Sequence, residues 1–137
     1  MRAHHALVAS ALLAFCPDVP AAQSGSGPVQ HLIQSGGLVR EYFVYLPPGY
    51  DETTPYPLVF FFHGGFGSAS QAASSYGIVE EAEQRGWIAV FPQGYRPSPL
   101  TPRTWNAGGC CGWTQANSVD DVGFFDAMLA RLQINYS

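Results

Sequence analysis

Residues 56–67 read Tyr-Pro-Leu-Val-Phe-Phe-Phe-His-Gly-Gly-Phe-Gly. From Leu58 to Phe62 the chain is apolar without a break. A strand with one wet face alternates apolar and polar residues. A strand covered on both faces has no reason to, so this run predicts a parallel strand between helix layers. Pro57 marks its start, because proline suits a first strand position but not a central ladder. The strand stops abruptly at His63-Gly64-Gly65-Phe66-Gly67. Glycine lets the backbone turn and leaves neighbouring N–H groups unshielded. Such a turn at the carboxyl end of a strand can aim backbone donors at an anion or a developing oxyanion. The plainer alternative is a strand-ending turn whose histidine bonds to nearby backbone.

The neighbouring stretches supply the rest of a sheet. Upstream, Val29–Gln34 and Leu38–Leu46 read as two strands joined by the hairpin signal Ser35-Gly36-Gly37. In the second, Arg40, Tyr42 and Val44 alternate with Glu41, Phe43 and Tyr45, as near a sheet edge. Downstream, Ala72, Tyr76, Val79 and Ala82 recur at near-helical spacing and predict a helix over residues 71–85, closed by Gly86. Gly77 weakens that helix. Trp87–Phe91 is a second continuous apolar run, ended by Pro92. Strand, helix and strand, with both strands apolar throughout, form a βαβ unit and hence a parallel sheet. Residues 96–103 hold three prolines and read as a loop. Ser118 is the expected N-cap of a final helix, with Asp121 at its third position and Val122, Phe125, Leu129 and Leu132 as its apolar stripe.

Length and charge limit what such a sheet can serve. The chain has 137 residues, room for one small domain, and its net charge of -4 offers no basic surface for nucleic acid. The positive residues are six scattered arginines. Residues 1–22 have the layout of a secretory signal peptide. Arg2 leads, Ala6–Phe15 is an apolar run too short to span a bilayer, and Ala21-Ala22 offers small residues for cleavage. The expectation is a protein secreted to the periplasm or the extracellular space, with no membrane span and a folded part over residues 23–137.

A second unusual stretch is Trp105-Asn106-Ala107-Gly108-Gly109-Cys110-Cys111-Gly112-Trp113. Adjacent Cα atoms stand about 3.8 Å apart, closer than most disulfides allow, so a bond between Cys110 and Cys111 is the less expected arrangement. Cys16 leaves with the leader. Either the vicinal bond forms, or Cys110 and Cys111 find disulfide partners on residues outside this chain. Two adjacent thiols without a nearby histidine do not suit zinc, and no metal site is expected. Asp120 and Asp121 could be an acid–base or metal pair, but adjacent acids in a first helical turn ordinarily complement the helix dipole. Trp105 and Trp113 fit ordinary loop packing, or the lining of a cleft for an aromatic or polymeric substrate. A non-catalytic secreted module that binds carbohydrate or polymer through this loop is the alternative to an enzyme.

Five segments in this order, SGGLVREYFVYLPPGYD, PLVFFFHGGFGS, GWIAVFPQG, WNAGGCCG and SVDDVGFF, resemble the N-terminal half of secreted polyhydroxybutyrate depolymerases and feruloyl-esterase-type α/β-hydrolases. The resemblance implies an α/β-hydrolase fold, with a mostly parallel sheet preceded by an antiparallel hairpin. It implies carboxylic ester hydrolysis without a cofactor, acting on a polyhydroxyalkanoate or a plant cell-wall ester. By position Gly64 and Gly65 match the oxyanion-hole loop, Phe66 would flank the acyl pocket, and Trp105 would line the substrate cleft. In that family the nucleophile sits in a Gly-x-Ser-x-Gly elbow on the next strand, followed by the acid and the histidine. No serine here has glycines two before and two after it. The resemblance therefore implies a chain truncated before the nucleophile strand, inactive alone, with Leu58–Phe62 left at an open sheet edge.

Overall fold

The computed structural model describes residues 27–136, and the expected signal peptide lies outside them. Four strands form one sheet in the order β1-β2-β4-β3. Strands β1 (Val29–Ser35) and β2 (Leu38–Tyr45) make the expected hairpin, with Ser35 opposite Leu38 and Val29 opposite Val44. Both turn glycines have the positive φ that this tight connection requires, 57° at Gly36 and 75° at Gly37. Strand β4 (Ile88–Pro92) pairs antiparallel with β2 and parallel with β3 (Leu58–Phe60), so the sheet is mixed. β2 thus lies near the sheet edge, as expected, one strand in from β1, which forms the margin.

Helices cover both faces, and strand alternation sorts the core between them. Tyr42 and Val44 of β2, with Ile88 and Val90 of β4, pack on Phe124, Met128 and Leu132 of α4 (Asp121–Asn135). Ala89 and Phe91 face the other way, onto the alanines of α1 (Ala69–Ser75) and α2 (Ile78–Arg85). Leu58 and Phe60 join the first layer, Val59 and Phe61 the second.

The strand buried on both faces is β4, all five residues of which are buried, while Leu58–Phe60 is only half-buried and Phe62 is 42% exposed. The cause is topological. β4 has a partner on each side, whereas β3 pairs with β4 alone and lies at an open edge among the described residues. An uninterrupted apolar run reports what a strand is suited to, and coverage depends on its neighbours.

Three local expectations change. The helix over residues 71–85 is two helices, because Gly77 takes a φ of 68° and breaks the ladder. The N-cap of α4 is Asp120, whose carboxylate accepts from Gly123 N–H at 2.8 Å, and Ser118 instead sits in a turn with φ of 50°. The buried stripe of α4 is Phe124, Met128 and Leu132, with Val122 72% exposed. A further short helix, α3 (Gly112–Ala116), follows the cysteine pair.

Candidate functional site

The glycine turn leaves the end of β3 with its backbone donors unequally engaged. Gly67 N–H closes a turn onto Gly64 O at 3.1 Å, and Phe66 N–H is taken by Arg103 O at 2.9 Å. The N–H groups of Gly64 and Gly65 meet no acceptor among the described residues. A Cβ at either position would meet nothing within 4 Å. Phe66 occupies the third turn position with φ of 67°, where glycine is usual, and its ring is 78% exposed. Gly64, Gly65 and Phe66, with Gln71 and Tyr76, line an open hollow of about 290 Å³. Two free donors and an exposed aromatic ring therefore share one small surface.

His63 holds that turn in place. It is buried, and its Nε2 accepts from Gly94 N–H at 2.9 Å. The ring proton therefore belongs on Nδ1, which donates to Gly64 O at 2.7 Å. Burial pushes the imidazole pKa below its ordinary value; the Gly64 bond opposes this, and the Arg103 charge adds to it. A neutral histidine with both nitrogens occupied is a brace. It fastens the loop after β3 to the loop after β4. Gly94 suits this role because a Cβ there would stand 2.9 Å from His63 Cε1.

Trp105 supports the same turn from the α4 side. Its indole N–H donates to His63 O at 2.8 Å, and its ring meets Phe62 edge-on at 5.2 Å. It lines an apolar hollow of about 370 Å³ with Phe62, Val122 and Phe125, a different hollow from that of Phe66. The two residues expected to flank substrate are thus joined through His63 and not brought to one surface.

Behind Trp105 lies a buried ion pair. Arg40 donates to Asp121 at 2.6 Å, with its guanidinium 4.1 Å from the centre of the Phe124 ring. The second Asp121 oxygen accepts from Asn106 N–H at 2.6 Å. Asp121 therefore ties β2, α4 and the Trp105 loop together while Asp120 caps the helix, and neither is left for acid–base work. No cluster of three or more metal-ligating side chains occurs among the described residues. The side chains of Cys110 and Cys111 lie against each other, and no other cysteine occurs among the described residues. No helix of the described residues is long and apolar enough to cross a membrane.

The glycine turn and a backbone-bonded His63 are legible in the sequence, and their distant supports are not. Gly94 and the Arg40–Asp121 pair gave no local signal, since their roles depend on residues 31 and 81 positions away.

No family model matches this chain. It is 32% identical to feruloyl esterase D of Neurospora crassa, over 90% of this chain and 43% of that protein. It is 28% identical to a probable feruloyl esterase C of Aspergillus clavatus, with the same coverage. The chain thus spans less than half the length of the curated relatives it matches. Among solved structures, a ferulic acid esterase from Anaeromyces mucronatus, in complex with ferulic acid, superposes with a TM-score of 0.55 at 21% identity. The superposition covers 89% of this chain and 49% of that one. The described residues accordingly have an α/β fold shared with esterases, and these relatives are carboxylic ester hydrolases.

Proposed function

We propose that this chain is the oxyanion-bearing part of a secreted serine esterase whose nucleophile, base and acid come from residues outside it. The observation that carries this reading is the pair of free N–H groups at Gly64 and Gly65, held at the carboxyl end of β3 by a neutral, doubly bonded His63. In ester hydrolysis a serine attacks the carbonyl carbon, and negative charge collects on the carbonyl oxygen. Preorganised backbone donors favour that charge without reorganising, by about 3 kcal/mol for each donor. His63 cannot serve as the base in this arrangement, because its Nε2 is already occupied by Gly94.

The names of the relatives make a feruloyl ester of a plant cell-wall polymer the favoured substrate over a polyhydroxyalkanoate. The exposed Phe66 ring beside the free donors suits an aromatic acyl group, which it can meet edge-on or in an offset stack. The test compares residues 23–137 with a longer protein that continues past Ser137, using methyl ferulate and a hydroxybutyrate ester. Expected is turnover of ferulate by the longer protein and none by residues 23–137. Ester turnover by highly purified 23–137 would require a nucleophile within it and would overturn the reading.

A further inference from the structure

On the other side of Phe66 lies a larger open hollow of about 590 Å³. One wall is Phe66, and the opposite wall is the proline-rich loop between Tyr95 and Thr104, pinned at its base by a Tyr95–Thr104 bridge. That bridge sets Arg96 and Arg103 at the two feet of one loop, both facing the hollow. Among the described residues their guanidinium groups hydrogen-bond only to backbone: Arg96 donates to Pro99 O at 3.1 Å, Arg103 to Gly94 O at 3.4 Å.

Neither guanidinium has a carboxylate within ion-pairing distance among the described residues, although the protein carries more acids than bases. The nearest acid to matter is Glu41, which lines a smaller hollow of about 110 Å³ behind the two arginines and attracts Arg103 from there without pairing with it. Burial and the Arg96 charge both press the Arg103 pKa below that of ordinary arginine. Two like charges, one partly desolvated, are costly to keep together without an anion. Here they line one hollow with Phe66, a largely exposed aromatic residue.

We propose that Arg96, Arg103 and Phe66 form a binding site for an acidic sugar, the guanidinium groups taking its carboxylate and the Phe66 ring its apolar face. Guanidinium forks match a planar carboxylate in shape as well as charge. Aromatic rings supply the flat apolar surface that a pyranose ring covers. The site adjoins the glycine turn, since Arg103 O holds Phe66 N–H, but it does not depend on that turn stabilising an oxyanion. The same chemistry is offered by a free sugar acid and by a uronate within a polysaccharide.

Binding, rather than hydrolysis, decides. Calorimetric titration of the full chain at low ionic strength with glucuronate, a galacturonic acid trimer and neutral xylotriose is the experiment. Expected is binding of the acidic ligands, at least tenfold tighter than xylotriose, and weakened about tenfold by Arg96→Gln or Arg103→Gln. Phe66→Ala should weaken the same ligands, and Arg103→Lys should retain part of the affinity. Tighter binding of the trimer than of glucuronate assigns the site to a polymer, and equal binding to a free sugar acid. The hydrogen bond of the Arg96 guanidinium among the described residues stays within its own loop, so Arg96→Gln remains informative if Arg103→Gln proves misfolded by circular dichroism. Equal affinity for xylotriose and the acidic ligands, or unchanged affinity in Arg96→Gln, overturns the proposal.

Discussion

The imidazole of His63 and the amide of Gly94 meet at 2.9 Å, and through that bond the ends of two neighbouring parallel strands are tied together. Protonation of Nε2 would turn an acceptor into a second donor facing Gly94 N–H. The bond therefore survives only while the ring is neutral.

From this follows a pH dependence. Burial holds the folded-state pKa of His63 below 6.5. The unfolded chain then binds a proton more readily than the folded one, so the contribution to stability is full above the unfolded pKa. It declines as pH falls through about 6.5 and levels off below the folded value. His31 is shifted in the same direction by burial and by Arg131, so it adds to the slope. Urea denaturation between pH 8 and pH 5 should show stability falling, and His63→Gln should remove part of that fall. An unchanged slope in His63→Gln would separate the histidine from the effect.

Gly94→Ala and Gly64→Ala should differ sharply. A Cβ at Gly94 meets His63 Cε1 at 2.9 Å and Thr104 O at 3.0 Å, while at Gly64 it meets nothing within 4 Å. Gly94→Ala is expected to cost about 1–3 kcal/mol through overpacking, and Gly64→Ala less than about 0.5 kcal/mol. Thermal melts of the two variants side by side check this.

The adjacent acids of α4 should also part company. Asp121→Ala leaves the buried Arg40 charge unpaired and should destabilise by about 3 kcal/mol or more. Asp120→Ala removes only a helix cap, worth about 1 kcal/mol. Comparable losses from both would mean that the ion pair contributes little.

Gly65→Pro probes the oxyanion reading without disturbing the turn. Gly65 is the second residue of the Gly64–Gly67 turn and is not in the positive-φ region, and that position commonly holds proline. The substitution deletes one N–H donor. In the longer, active protein kcat should fall about 100-fold or more, with KM little changed. A folded variant with unaltered kcat would remove Gly65 from the oxyanion site.

Much of this architecture is legible in the sequence because it rests on local periodicity. The β1–β2 hairpin, the βαβ unit and the glycine turn all declare themselves within windows of about ten to thirty residues. What is not legible depends on who stands beside whom. Leu58–Phe62 and Trp87–Phe91 are equally apolar, and their composition does not separate them; the open edge at Leu58–Phe62 is expected only through the strand order that the resemblance implies, and that order is observed. The stripe of α4 sits on Phe124 rather than Val122 because the helix face that carries Asp121 is turned to the buried Arg40, and Phe124, Met128 and Leu132 share that face. The bracing role of His63 is invisible without Gly94.

The central place of β4 also has a consequence for synthesis. Chains emerge from the ribosome amino end first, and of the four described strands β4 emerges last although β2 and β3 each pair with it. Phe60 must wait about thirty residues for its partner Val90, on the order of seconds at ordinary elongation rates. During that interval the hairpin can close on itself, but Leu58–Phe60 has no partner on either side and the glycine turn has no Gly94 to hold it. The order of manufacture thus runs against the order of assembly. A nascent chain whose emerged part stops short of Ile88 should expose its Phe60–Phe62 run to any chaperone that binds apolar segments, and one whose emerged part extends past Gly94 should expose it less.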